Sequence, residues 1–168
     1  MKVRLDENVS WRVARTLQAF LSDTSGLEIS YVRDVHPPGT SDPTWITGFA
    51  NAGGHAVVSG DANILQHWVD LVAYTESGLI AYFPSPAWSR MKAAGRAAFI
   101  MRWWPTLVEH MKMAERGTSW RMPMTWTPSI TGLEQLRDPR IQTRAQQHAR
   151  GIQPVATIRQ FRPESESE

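Results

Sequence analysis

Short apolar runs alternate with stretches of helical periodicity along the first two thirds of the chain. The apolar runs predict four strands. They lie at residues 2–6, 27–32, 56–59 and 79–83. Between and after them, apolar residues recur three and four positions apart, which predicts four helices. These stretches lie at about 9–21, 41–50, 64–72 and 89–116. The alternation favours an α/β fold: a three-layer α/β/α sandwich around a mostly parallel sheet.

The last of these helices contains a proline. Because proline lacks an amide N–H and its ring clashes with the preceding turn, Pro105 is expected to kink or divide the helix. Its candidate core positions share an apolar side chain at helical spacing. They are Met91, Ala94, Ala98, Met101, Leu107 and Val108.

Aspartates follow two of the predicted strands and begin one helix. Asp6 ends the first strand, Asp61 follows the third, and Asp42 opens the helix between the second and the third. The carboxyl ends of adjacent parallel strands meet at one sheet edge, with the strands about 4.8 Å apart. Oxygen ligands gathered there suit Mg²⁺ or Mn²⁺. We therefore expect Asp6, Asp42 and Asp61 to bind a divalent ion, with Asn8 orienting a water or a phosphate oxygen.

Each of these carboxylates also has a purely structural interpretation. Asp6 and Asp42 are placed where aspartate caps a helix, and Asp61 is placed where it stabilises a turn. Asp34, next to Arg33, is interpreted as a loop or ion-pair residue rather than a ligand. Glu7 is left as a supporting residue near the site.

The formal net charge of +2 hides an uneven distribution. Residues 1–118 carry eleven basic and eleven acidic side chains, and no Lys or Arg occurs between Arg33 and Arg90. Residues 119–162 carry seven arginines against Glu134 and Asp138, a net of +5. We expect a domain over residues 1–116 and a basic extension over 117–168, with a polar helix near 132–150 and a disordered acidic end.

Two interpretations of the basic extension remain open. Its arginines could bind phosphate groups, which would make nucleic-acid binding sensitive to salt. Alternatively, the extension is a solvated tail, or an arm exchanged in a homodimer. The arginines concerned are Arg137, Arg140, Arg144, Arg150, Arg159 and Arg162.

Composition excludes several classes of protein. The chain has no cysteine, which excludes disulfides and thiolate metal sites. It has no apolar run long enough to cross a membrane, and its start lacks the apolar segment of a signal peptide, so a cytoplasmic protein is expected. Glycine-rich nucleotide-binding loops and a Gly-x-Ser-x-Gly nucleophile motif are also missing from the sequence.

Several segments together resemble the PIN-like family, which includes the VapC-type toxin ribonucleases. The resemblance covers roughly residues 1–115. The segments are Leu5-Asp6-Glu7-Asn8-Val9-Ser10, Val32-Arg33-Asp34, Ser41-Asp42-Pro43-Thr44-Trp45-Ile46, Val57-Val58-Ser59-Gly60-Asp61, Pro84-Ser85-Pro86-Ala87-Trp88 and Arg102-Trp103-Trp104-Pro105.

The resemblance implies a compact α/β/α domain that hydrolyses RNA phosphodiesters with Mg²⁺ or Mn²⁺. By position, Asp6, Asp42 and Asp61 match the family's acidic residues, and Asn8 matches a polar position near them. Asn63 stands where the family pattern has a further acid. The resemblance also implies a small antitoxin protein as partner.

Three functions are consistent with the sequence. The first is a metal-dependent endoribonuclease, the toxin of a toxin–antitoxin pair. The second is a nucleic-acid-binding or antitoxin-binding module with impaired catalysis. The third is a metal-dependent phosphohydrolase acting on a small molecule.

Overall fold

The computed structural model of the protein describes residues 1–21 and 26–138. Six strands and four helices follow one another in this part of the chain. The strands are β1 (Lys2–Leu5), β2 (Glu28–Tyr31), β3 (Ala56–Val58), β4 (Ile80–Pro84), β5 (Ser119–Met122) and β6 (Glu134–Leu136). The helices are α1 (Trp11–Leu21), α2 (Asp42–Asn51), α3 (Trp68–Glu76) and α4 (Ala93–Met111).

The strands form one sheet in the order β2-β1-β3-β4-β5-β6. All neighbouring pairs are parallel except β5 and β6, which are antiparallel. Strand β1 lies beside β3, with Leu5 opposite Val58. The residues that follow these two strands therefore emerge next to each other at the carboxyl edge of the sheet.

Helices cover both faces of the sheet, as the predicted α/β/α sandwich requires. Side chains alternate between the two faces along each strand. On one face, Val3 and Leu5 join a core with Val13, Leu17 and the apolar side of α4. On the other face, Phe83 packs edge-on against Tyr74 of α3 at 5.4 Å between ring centroids. Burial on both faces of the sheet explains why the central strands β3 and β4 lack charged residues and are buried along their whole length.

The four predicted strands and the first two predicted helices agree with the structure, whereas the third helix begins later than predicted, at Trp68, and α4 differs in its buried residues. Pro105 does not divide this helix, which continues from Ala93 to Met111. Ala94 and Ala98 were predicted in the core but are exposed. The buried residues of α4 are mostly large side chains, among which Leu107 was predicted in the core. They are Phe99, Ile100, Trp103, Trp104, Leu107, His110 and Met111.

The sheet continues beyond residue 116. Strand β5 pairs with β4, and β6 pairs with β5. The chain divides into two compact units, Met1–Arg137 and Asp138–Glu168, so the end of the first unit does not coincide with the domain boundary expected after residue 116. The helix expected from residue 132 is wrong at its start, because Glu134–Leu136 is a strand. Its remainder, and the acidic end, lie outside the described residues.

None of the helices in the part of the chain that the structure describes combines the length and the apolar character needed to cross a bilayer.

A buried histidine connects β4 with α4. Tyr82 Oη and His110 Nδ1 share a hydrogen bond of 2.8 Å. His110 is buried and also lies against Trp120 of β5, at 4.5 Å between ring centroids. Burial lowers the pKa of His110, because the charged imidazolium loses its hydration. The folded protein therefore holds this side chain neutral.

We predict that this histidine contributes to acid sensitivity. Its folded pKa lies below its unfolded value of about 6.5, so the unfolded state binds more protons below that pH. Its contribution to stability is complete above about pH 6.5 and is lost as the pH falls toward the folded pKa. Urea unfolding at pH 7 and pH 5 should show a smaller loss of stability in His110→Gln than in the wild type. Equal losses in the two proteins would contradict this assignment.

Candidate functional site

The carboxylate of Asp6 links the ends of β1 and β3. Its Oδ1 accepts hydrogen bonds from the backbone N–H groups of Asn8 at 3.0 Å, Val9 at 3.2 Å and Gly60 at 3.0 Å. Its Oδ2 accepts from the Ser59 hydroxyl and from Asn8 Nδ2 at 3.3 Å. We call this arrangement of Asp6, Asn8, Val9, Ser59 and Gly60 the Asp6 clamp.

The clamp requires glycine at position 60. A Cβ built there would lie 2.5 Å from the carbonyl carbon and oxygen of Asn8. Both are backbone atoms, so they cannot move aside as a flexible side chain would. The absence of a side chain lets the Gly60 N–H reach Asp6 across the gap between the two strand ends.

Asp6 is almost fully buried. Burial raises the pKa of its carboxyl, while the hydrogen bonds from Ser59, Gly60, Asn8 and Val9 oppose that rise. The donors of the clamp therefore offset part of the cost of burying this carboxylate.

Asp61 lies two residues beyond the clamp's serine and is more accessible. Its backbone N–H donates to Ser59 Oγ at 2.9 Å, which ties its position to the clamp. Its Oδ1 accepts from the Asn63 backbone N–H at 2.8 Å, a turn of the kind expected for aspartate here. Its Oδ2 lies 3.0 Å from His67 Nδ1, and this carboxylate raises the pKa of His67.

Asp42 occupies the first turn of α2. Its Oδ1 accepts a hydrogen bond of 2.7 Å from Trp45 Nε1. Ser41 is the residue before the helix, and its side chain makes no capping hydrogen bond. Asp42 is thus held by an indole one turn later, and it lies where the helix dipole favours negative charge.

Asp70, in the first turn of α3, is electrostatically coupled to these carboxylates. Burial raises the pKa of Asp70, and the charges of Asp42 and Asp61 raise it further. The buried Tyr74, one turn later, has its pKa raised well above the ordinary range, first by burial. The further causes are all four aspartates, Asp6, Asp42, Asp70 and Asp61. The four carboxylates therefore all act electrostatically on one side chain, although they come from four separate parts of the chain, and we call them the acidic neighbourhood.

The carboxylates do not form a ready-made cage for a metal ion. Across residues 1–21 and 26–138, no three side chains of the His, Cys, Asp or Glu type are close enough together to hold one ion. The separate contacts of Asp6, Asp42 and Asp61 explain this spacing, because each carboxylate is held by its own donors.

One family model, described as a PIN-like domain, matches residues 1–85, half of the chain. The chain belongs to the PIN-like domain family. The match includes β1 to β4 and all four aspartates of the acidic neighbourhood. No curated protein and no solved structure gives a significant match to the chain.

PIN-like domains are generally nucleases that bind nucleic acids and use divalent metal ions. The donors of this PIN-like site are carboxylate oxygens, which are the ligands that hard divalent ions prefer. Because Mg²⁺ keeps several of its waters, one or two carboxylates suffice to hold a hydrated ion without a cage of three ligands. Asp42, Asp61 and Asp70 are the partly exposed carboxylates that would contact such an ion or its waters.

The other acids named from the sequence have separate partners. Asp34 forms an ion pair with Arg15, with 2.6 Å between Oδ1 and Nη2, which confirms its interpretation as an ion-pair residue. Glu7 forms an ion pair with Arg33. Asn8 lies beside the carboxylate of Asp6 and donates to both of its oxygens.

Sequence reasoning missed Ser59, His67 and Asp70. Asp70 stood in the interval without basic residues, but only the packing of α3 beside α2 brings its charge close to Asp42. His67 has no metal-ligand spacing, and its position six residues after Asp61 carried no signal of its own. Ser59 immediately precedes Gly60-Asp61, and its hydroxyl is recognisable as part of the clamp only once β3 is paired with β1.

We predict that an alanine at position 60 destabilises the fold. Gly60→Ala would force its Cβ into the Asn8 backbone, and overpacking of this kind costs about 1–3 kcal/mol. Gly48→Ala is the matched control, because a Cβ at this helical position meets nothing within 4 Å. It should leave the protein unchanged or stabilise it by about 0.5–1 kcal/mol. Denaturant unfolding of both variants measures the difference, and equal stability would contradict the close approach described above.

We predict that Asp6→Asn keeps the fold. Because burial raises the pKa of Asp6, its ionisation opposes folding as the pH rises above the unfolded value of about 3.9. An asparagine carries no charge at any pH and can still accept the backbone hydrogen bonds. The variant should therefore be at least as stable as the wild type at pH 7, with the advantage shrinking toward pH 4. A large loss of stability at pH 7 would show that the charged form is required for folding.

Proposed function

We propose that the protein is an endoribonuclease that uses Mg²⁺ or Mn²⁺ to hydrolyse RNA phosphodiesters. The observation that carries the proposal is the acidic neighbourhood of Asp6, Asp42, Asp61 and Asp70 at the carboxyl edge of a PIN-like sheet. No Lys or Arg is among the groups that shift the pKa of Asp70 or Tyr74. His67, which is paired with Asp61, is the one basic group among them, and it lowers the pKa of Asp70.

The residues have different parts in this proposal. Asp42 and Asp61, which are partly exposed, contact the ion or its waters, and Asp70 adds the further carboxylate that Asn63 lacks. Asp6 contributes buried negative charge, and its clamp fixes the Ser59-Gly60-Asp61 turn. Asn8 is placed to orient a water or a phosphate oxygen. A bound ion supplies an acidified water as the nucleophile and offsets charge on the leaving oxygen.

We also propose a biological setting, which rests on the likeness of the sequence motifs to VapC-type toxins. In this setting the protein is the toxin of a toxin–antitoxin pair in the cytoplasm, with a small antitoxin protein as its partner. The nuclease chemistry belongs to residues 1–116. The basic extension is either a phosphate-binding arm or an arm that is exchanged in a homodimer.

A second function has its own support. The carboxylate of Asp6 is already satisfied by five hydrogen bonds, and no three candidate ligands of the described residues converge on one point. Both features are consistent with a PIN-like module that binds nucleic acid or an antitoxin and has impaired catalysis.

We predict metal-dependent cleavage that depends on the acidic residues. Asp61→Asn, Asp42→Asn and Asp70→Asn should each lower the rate of RNA cleavage in Mg²⁺ or Mn²⁺ by about tenfold to a hundredfold, since each removes charge that supports the ion. Asp34→Asn is the matched control, because Asp34 is paired with Arg15 outside the site. The measurement is the initial rate on a labelled RNA with and without EDTA.

The two functions predict different results in this assay. Wild-type protein that binds RNA but does not cleave it would favour the impaired module. Cleavage that persists in EDTA, or that is equally fast in all the acidic variants, would contradict the proposed site.

A further inference from the structure

A cavity lies on the outer side of α4, away from the carboxylates. Its volume is about 470 Å³. Met91 and Gly95 form one wall, Met124 and Trp126 from the segment after β5 form another, and Arg102 closes one side. This size is within the range of pockets that enclose small organic groups.

Trp126 gives the cavity an unusual wall. Its side chain is 81 % exposed, although burial of a tryptophan is strongly favourable. The Arg102 guanidinium lies over its ring, 4.2 Å from the centroid. This cation–π contact holds one face of the indole in place and presents a flat aromatic surface to solvent.

Gly95 keeps the cavity open. It lies inside α4, where glycine is less favourable than alanine. A Cβ there would meet only the side chain of Met91, at 3.0 Å from its methyl group. Any larger side chain at this position would extend into the cavity.

A second cavity shares one lining residue with the first and includes one residue of the candidate site. Its volume is about 390 Å³, and Asn8, Trp88, Met91 and Arg96 are among its lining residues. Met91 lines both cavities. Asn8, which lines the second cavity, also donates to the Asp6 carboxylate.

The side chains that line and flank the two cavities carry a net positive charge. Arg96 and Arg102 line the cavities, and Arg90 and Lys92 are exposed beside them. Glu7 is the single acid among the described lining residues of the two cavities, and it is neutralised by Arg33. A polyanion bound across the two cavities would therefore contact positively charged side chains.

We propose that the Trp126 cavity receives an unpaired base of a single-stranded RNA, stacked on the indole, while the strand continues past Arg96 toward Asn8. The inference deepens the proposed function and rests on it for the identity of the polymer. Base stacking on an exposed aromatic ring next to arginine is a general means of binding single strands. The positive charge of Arg90, Lys92, Arg96 and Arg102 favours RNA over an apolar peptide segment as the occupant.

The test is the affinity of the full-length protein for a labelled single-stranded RNA, measured by fluorescence anisotropy in EDTA so that cleavage does not interfere. Trp126→Ala should weaken binding by about fivefold to a hundredfold, and Trp126→Phe should restore part of the affinity. Phe20→Ala is the matched control, because Phe20 is a 75 % exposed aromatic residue of α1 outside both cavities. It should bind as the wild type does.

An abasic strand of equal length separates stacking from charge. The difference between wild type and Trp126→Ala should disappear on this strand, since it offers phosphates without bases. Gly95→Leu provides a second variant, which places a side chain in the cavity while leaving residue 126 a tryptophan, and should weaken binding to the base-bearing strand alone. Circular dichroism confirms that each variant is folded.

Several outcomes would overturn the proposal. One is unchanged affinity of both variants for the base-bearing strand, which would leave an apolar side chain of a protein partner as the occupant. Another is an equal loss on the two strands. Because binding is measured without a metal ion, these results are independent of whether the Asp61 and Asp70 variants lose cleavage, which tests the proposed function.

Discussion

The structure depends on a buried carboxylate that joins two neighbouring strands where they end. Asp6 accepts five hydrogen bonds, and those from Ser59 and Gly60 reach it from the turn that follows β3. An unpaired buried carboxylate would be very costly, so these donors are a condition for placing an acid here at all. The same contacts fix the turn that carries Asp61, and a structural requirement of the fold thereby positions a functional residue.

The remaining carboxylates are organised by helix starts. Asp42 and Asp70 occupy the first turns of α2 and α3, which pack against each other on one face of the sheet. Each is favoured there by the helix dipole, which offsets part of the repulsion between them. Aromatic side chains lie beneath: Trp45 donates to Asp42, and its ring meets Tyr74 at 6.0 Å between centroids. The preference of aspartate for the first turn of a helix thus concentrates negative charge at this site. A hydrated cation would balance that charge.

Periodicity predicted most of the fold, because buried strands and amphipathic helices leave direct traces in the sequence. It failed where the buried residues differ from those that the spacing of apolar positions predicts. In α4 the small residues Ala94 and Ala98, predicted in the core, are exposed, whereas the bulkier Phe99 and Ile100 are buried. Strand β6 gave no signal, since Glu134–Leu136 lies at the sheet's antiparallel edge and is largely polar.

The residues of the candidate site likewise divide into those that the sequence predicts and those that it does not. Asp6 and Asp61 were recognisable because each follows an apolar strand, and Asp42 because it begins a helix. Asp70 and the hydroxyl of Ser59 were not, since their roles depend on which strands and helices become neighbours. Sequence reasoning identifies residues whose position is determined by local secondary structure. Tertiary packing is needed for the others.

The clamp also bears on the order of events when the chain is made. Asp6 and Gly60 are 54 residues apart, so their contact closes a long loop that local structure cannot close alone. A nascent chain that has emerged only as far as α2 carries Asp6 and Asp42 but lacks the Ser59-Gly60-Asp61 turn. The acidic edge therefore assembles only after β3 has docked beside β1, and a ribosome-bound fragment shorter than this lacks the arrangement altogether.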